Sequence, residues 1–213
     1  MTPNEIIGSL VYRTNSALNG NAKFLEAVRK YKYYHAVVND GRLHLWHYPG
    51  TAQEISHVFQ SLTKDSLMGS KLKFPAILNF QGVTVEHEFQ QGITLMRYNL
   101  AIVAPVLSEW TTQFREAQVY KLVLKPIEDE FVRQINSFRH FQKNMGGLRY
   151  TSTYVPTTGH ALNSTMKILY GDFIDAIELQ NLNVKVLQTC ESMSEIIESE
   201  SKKVTDEIKN LKK

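Results

Sequence analysis

Residues 93–104 alternate, with Met96, Tyr98, Leu100 and Ile102 on one face of an extended chain and Arg97 and Asn99 on the other. A strand of this length spans about 40 Å and has one face that must be covered. An isolated strand or hairpin cannot do that in water, so the chain must build a sheet with a layer packed on it.

Further segments with the same period supply partners for that strand. Phe74 to Phe80 is a compact apolar run, Leu148 to Val155 is strand-like, and Ile174 to Leu187 places Leu182, Val184 and Val186 on one face. Between the first two strands, Gln81 to Gln91 alternates Val83, Val85 and Phe89 with Thr84, Glu86 and Glu88 between Gly82 and Gly92. That pattern predicts an arm extending the two strands into a ribbon clear of the core, with Val83, Val85 and Phe89 as contacts to a neighbouring subunit or ring. Tyr31 to Val38 and Leu43 to Tyr48 flank Asn39-Asp40-Gly41 and predict a β-hairpin near 31–48.

Helical segments provide the cover. Thr2 and Glu5 form a capping-box pair around Pro3, and Ile6, Ile7, Leu10, Val11 and Leu18 follow at helical spacing, predicting a helix over 3–18. A second pair, Thr51 and Glu54, opens a helix carrying Ala52, Ile55, Val58, Phe59 and Leu62. Ser108 to Phe138 predicts a longer helix with Phe114, Ala117, Leu124, Ile127, Phe131 and Ile135 buried, kinked at Pro126. From about Glu191 to the end, Met193, Ile197, Val204, Ile208 and Leu211 form a narrow stripe among Lys and Glu, an amphipathic helix suited to docking on an adjacent subunit or ring. The fold class is therefore α+β: a small mixed, mainly antiparallel sheet with helices packed on it, plus an added hairpin and a C-terminal amphipathic helix. The chain divides into a domain over 1–189 and a helical extension over 190–213.

With 213 residues, 43% hydrophobic and 21% charged, the chain sits in the ordinary globular range. It has neither an 18-residue apolar run nor the residue order of a signal peptide, so no membrane association is expected. One cysteine, Cys190, permits neither an internal disulfide nor a multi-cysteine zinc site. A net charge of +3 is too small to serve as a nucleic-acid footprint by itself.

The residues suited to chemistry are scattered. There is no phosphate-binding loop, dinucleotide fingerprint, nucleophile elbow or zincin helix, and no cofactor is expected. His44 and His47, if on a strand, point to opposite faces and cannot share a metal. Glu86 and Glu88 share a face but read as solvated, while His87, His140 and His160 have no sequence neighbours that suggest a triad. Lys71 and Lys73, before the Phe74 strand, are candidates for facing DNA. Arg29, Lys30 and Lys32, interleaved with Tyr31, Tyr33 and Tyr34, are a second place where phosphate contact and stacking could combine.

Residues 48–138 resemble the tail-terminator, or tail-completion, family of tailed bacteriophages. The resemblance is carried by Tyr48-Pro49-Gly50 with Glu54-Ile55, by Lys73-Phe74-Pro75-Ala76-Ile77-Leu78, and by Asn99-Leu100-Ala101-Ile102-Val103. Thr111, Thr112, Arg115-Glu116, Val119-Tyr120 and Leu124-Lys125-Pro126-Ile127 before Phe131 continue it. Asp172 to Leu182 is similar to the closing strand of versions from phages of gut Bacteroidota, including crAss-like phages. The section from Asn21 to Trp46 and the C-terminal helix are additional to the compact pattern. The resemblance implies a structural virion protein without catalytic residues, assembled in the host cytoplasm into a homo-oligomeric ring of six or twelve copies. Such a ring sits in the neck or tail, joins the portal side of the head to the tail, contacts adjoining neck, portal or tail proteins, and lines the channel through which packaged DNA passes. The alternative from the residues alone is a cytoplasmic nucleic-acid-binding module encoded by a phage or mobile element, using the Tyr31 region, with a small enzyme as a third possibility.

Overall fold

The computed structural model describes residues 2–64, 73–88, 93–138, 141, 148–158 and 173–187. Lys71, Phe89, His140, His160, Cys190 and the C-terminal stripe of Met193, Ile197, Val204, Ile208 and Leu211 lie outside the described residues. The fold is α+β, with helices on a mainly antiparallel sheet.

The sheet contains β3 (Trp46–Gly50), β4 (Ala76–Phe80), β5 (Thr84–Glu88), β6 (Ile93–Pro105), β7 (Thr151–Thr158) and β8 (Ile174–Leu187). Its order is β3-β4-β6-β8-β7, with β5 pairing beside β4 on the same side of β6. Only β3 and β4 run parallel. Sequence alternation in β6 follows the cover. Arg97 and Asn99 are exposed in its first half, while from Leu100 to Pro105 every residue is buried, because both faces are covered there. Leu100, Ile102 and Ala104 join the larger core with helix α1 (Pro3–Asn19) and the long helical run described below, whereas Ala101 and Val103 pack with Ile55 and Phe59 of α3 (Ala52–Lys64). The sheet is thus sandwiched at this end. Ile102 and Phe131 are both fully buried, each contributing about 1.5–3 kcal/mol of apolar transfer.

Both capping boxes form. The Glu5 N–H donates to Thr2 Oγ1 at 3.3 Å and the Thr2 N–H to the Glu5 carboxylate at 2.6 Å, and Thr51 and Glu54 repeat the exchange. Ile6, Ile7, Leu10, Val11 and Leu18 face the core. Val58 of α3 does not; it is 42% exposed.

The hairpin expected over 31–48 is reduced to two residues a side, β1 (Val38–Asn39) and β2 (Arg42–Leu43), joined through Asp40 and Gly41. Both central residues have positive φ, 50° and 74°, as a tight hairpin turn requires. Two local arrangements accompany the shortfall. Residues 31–37 fold onto the helical layer: the Tyr31 hydroxyl donates to the Pro105 carbonyl, its ring meets Trp110 edge-on, and Tyr34–Ala36 forms a 3-10 turn after the short helix α2 (Ala22–Val28). On the other side, Asn19 of α1 bonds both the N–H and the C=O of Leu43, and Asn15 accepts from the Leu45 N–H. Across this two-residue turn Asn39 and Arg42 form the hydrogen-bonded pair, so the Leu43 and Leu45 groups point away from β1, and α1 holds that outer edge of the chain. The chain then leaves the hairpin, and Trp46 to Gly50 pairs with β4 instead.

The helix expected from Ser108 to Phe138 runs as α4 (Thr112–Arg115), a π-helical stretch (Glu116–Leu124) and α5 (Lys125–Ser137). The Lys125 N–H donates to the Tyr120 carbonyl, five residues back, and Pro126, which has no N–H to donate, stands where the run passes from π-helix into α5. The wider turns rotate the buried stripe. Leu124, Ile127, Phe131 and Ile135 are buried as expected, but ahead of them Arg115, Val119 and Tyr120 face inward, Phe114 is half-buried and Ala117 is exposed.

The arm over 81–91 is not free-standing. Gly82, at φ +108°, turns the chain from β4 into β5, which lies along the first half of β6. The β6 limb belongs to the core through Ile93, Thr94 and Met96, and Val83 packs against the larger core. Thr84 to His87 are exposed, as an outer strand should be.

Candidate functional site

Arg115 organises the end of the molecule opposite to β5. Its side chain points inward because the π-helical stretch turns it toward β8, where its guanidinium meets Asp175 at 3.2 Å. Its remaining N–H groups donate to the carbonyls of Trp110 at 3.0 Å and of Leu107 and Ser108 at 3.4 Å. One planar donor fork therefore ties the 107–110 loop, the helix and β8 together. The ion pair is nearly dry, with side-chain exposures of 9% and 0%.

Above Arg115 lies an open cleft of about 700 Å³ between the helical run and the edge strand β7. Its apolar surface comes from Tyr120, Tyr154 and the exposed Ala117, with Lys121 and Glu116 at the rim. The Tyr120 and Tyr154 rings are 5.2 Å apart. Tyr120 is buried, and its hydroxyl has no hydrogen-bond partner among the described residues; burial, with the nearby Asp175 charge, pushes the phenol well above its ordinary range. Tyr154 is half exposed, on a strand where Thr151, Ser152 and Thr153 are exposed as well. At the far rim Lys125 holds Glu128 at 2.8 Å and Asp129 at 3.0 Å. Burial alone would lower that ammonium, but the two carboxylates outweigh it and hold its pKa above the ordinary range. An open, aromatic, largely apolar cleft beside an edge strand suits a protein segment better than a small polar substrate.

The residues singled out in the sequence are dispersed. Val85 is 36% exposed on β5, and Glu86 pairs across the strands with Arg97 at 2.9 Å, both solvated. His87 Nδ1 and Thr94 Oγ1 share a hydrogen bond of 3.2 Å. Lys73 is 2% exposed, which corrects its assignment as a DNA-facing residue: its neighbour Phe74 packs edge-on against Phe59 beneath α3, drawing this part of the chain inside. His44 stacks on Trp46, whereas His47 is largely buried against Gly8 of α1, and desolvation lowers its pKa to about 4. Arg29, Lys30, Lys32 and Tyr33 are exposed on the turn after α2, with the Lys32 ammonium 5.6 Å from the centre of the Phe114 ring. Tyr31 is buried and Tyr34 half-buried. Among the described residues no three His, Cys, Asp or Glu side chains group as a metal set, and no helix is long and apolar enough to cross a membrane.

Sequence reasoning passed over Arg115, Asp175, Tyr120 and Tyr154 as a group. Asp175 did carry a signal: a carboxylate between Ile174 and Ala176 in an otherwise apolar strand demands a buried partner. The chain matches no protein-family model and no curated protein sequence.

Proposed function

We propose that this protein is a structural virion component that assembles as a homo-oligomeric ring in the neck or tail of a tailed bacteriophage, between the portal side of the head and the tail. The ring encloses the channel for packaged DNA and is held by adjoining neck, portal or tail proteins. Its assembly takes place in the host cytoplasm, and the reading assigns no catalytic step.

The observation that carries it is the disposition of the sheet. A centre sandwiched between helices leaves β3 and β5 on one side of the sheet and β7 on the other, and β5 and β7 each bear an exposed large apolar residue, Val85 and Tyr154. Rings are built by heterologous contacts between two unlike surfaces of the same chain. Multi-angle light scattering and negative-stain images of the full chain test the reading: closed rings of about six or twelve copies are expected, and a monomer at every concentration rejects it.

A second reading, a nucleic-acid-binding module, is favoured by one observation, the exposed Arg29, Lys30, Lys32 and Tyr33 on a turn anchored by Tyr31. It expects a monomer whose affinity for DNA falls steeply with salt.

A further inference from the structure

We infer that the exposed turn after α2 is the surface this protein presents to duplex DNA, with Arg29, Lys30 and Lys32 contacting backbone phosphates without reading base sequence. The inference deepens the ring reading, on which it rests for the source of the duplex, the DNA passing through the channel.

Positive charge is concentrated at this place. The whole chain carries a net +3, and residues 21–42 alone carry the same +3, from Lys23, Arg29, Lys30, Lys32 and Arg42 against Glu26 and Asp40. The remainder of the chain is balanced. All of these charged residues are exposed, and none forms an ion pair among the described residues. Elsewhere Arg97, Arg115, Lys125 and Arg133 each hold a carboxylate. The turn thus keeps its charge available to a polyanion outside the molecule.

Its shape is fixed before any partner arrives. Tyr31 is buried at its centre, with the hydroxyl donating to the Pro105 carbonyl and the ring edge-on to Trp110. The N–H groups of Lys30, Tyr31 and Tyr34 donate three residues back, to Ala27, Val28 and Tyr31, at 3.0, 2.9 and 3.0 Å. The Lys32 N–H donates to Gln118 Oε1 at 3.0 Å, and its ammonium lies 5.6 Å from the centre of the Phe114 ring, a contact that leaves its charge unneutralised. From Arg29 to Lys32 the chain reaches at most about 11 Å, a length over which a duplex carries about six phosphates. Of the three tyrosines from 31 to 34 only Tyr33 is exposed, so the turn offers no platform on which successive bases of a single strand could stack.

Fluorescence anisotropy tests the contact, with short labelled duplexes of two unrelated sequences titrated with the full-length protein at several salt concentrations. Equal affinity for both duplexes is expected, falling as salt rises. The triple variant Arg29→Gln, Lys30→Gln, Lys32→Gln should reduce the slope of log affinity against log salt by about 2.7 for each copy in contact. A second triple variant, Arg97→Gln, Arg133→Gln, Arg149→Gln, removes the same charge at exposed positions elsewhere and should leave the slope unchanged. Melting temperatures of both variants check that they are folded. No binding by the wild-type protein, an unchanged slope in the first variant, or an equal loss in both overturns the inference. Tighter binding of a single strand that is lost in Tyr33→Ala overturns the assignment to a duplex. Light scattering of the same samples separates the two readings. Rings whose DNA binding ignores the three cations overturn this contact and leave the ring reading standing, whereas a monomer whose binding needs them keeps the contact and overturns the ring reading.

Discussion

Replacing Arg115 by Met keeps much of its length and removes its charge and donors, so it isolates what the guanidinium does. In the wild-type protein the group meets Asp175 at 3.2 Å and donates to three loop carbonyls, with Asp175 fully buried. The variant leaves a buried carboxylate without its cation, a change that typically costs about 3–5 kcal/mol. Total stability for a domain is about 5–15 kcal/mol, so the loss is a large share of it. With a urea slope of about 1–3 kcal/mol/M, the denaturation midpoint should fall by more than about 1 M. Arg115→Lys keeps the charge but loses the fork geometry and should fall between the two. The double variant Arg115→Met with Asp175→Leu removes both charges and should recover most of the midpoint, because a buried pair replaced by apolar groups is often neutral. A single Arg115→Met variant within about 1 kcal/mol of wild type would refute the assignment of this pair as the tie between helix, loop and β8.

Other outcomes follow from the same packing. Ile102→Ala and Phe131→Ala, both at fully buried positions, should each cost about 2–5 kcal/mol in urea denaturation, and unchanged midpoints would contradict the core. His47 has a folded pKa of about 4 against an ordinary value of 6.5, so the unfolded chain binds more protons between these values and stability is lost as pH falls through that window. The loss should approach about 3 kcal/mol, and His47→Leu should flatten this part of a melting profile from pH 7 to pH 4. Val85→Ser should leave the melting temperature of the monomer unchanged and weaken assembly in light scattering, whereas Val83→Ser should also lower the melting temperature, because Val83 packs against the core. Truncation after Thr189 removes the C-terminal stripe; loss of assembly with an unchanged melting temperature identifies it as a docking element, and loss of monomer stability assigns it to the core.

The candidate site was only partly legible in the chain. The alternation over 81–91 marked a strand, on which Val85 is exposed, but pointed to an arm clear of the core rather than to a strand lying along β6 with Val83 packed inward. Lys73 misled because a lysine before a strand is normally solvated, yet Phe74 binds Phe59 and carries that backbone inward. The cleft was invisible from local pattern. Its walls come from residues about 35 positions apart on a helix and an edge strand, and no local periodicity encodes which helix covers which strand.

What the sequence determined by itself were the features set within a few residues: the Thr2–Glu5 and Thr51–Glu54 caps, the left-handed Asp40-Gly41 turn, and the extents of α1 and β8. These depend on local donors, acceptors and steric limits, which travel with the residue types. Tertiary structure decided the rest wherever two partners competed for one backbone or one face. Trp46 to Gly50 pairs parallel with β4 instead of continuing the hairpin, and Asn15 and Asn19 on α1 hold the outward-facing backbone groups of Leu43 and Leu45 that precede it. The π-helical stretch turned Arg115 inward and Ala117 outward, against the straight-helix spacing, because the buried Asp175 on a distant strand is satisfied only by a cation brought to it through the fold.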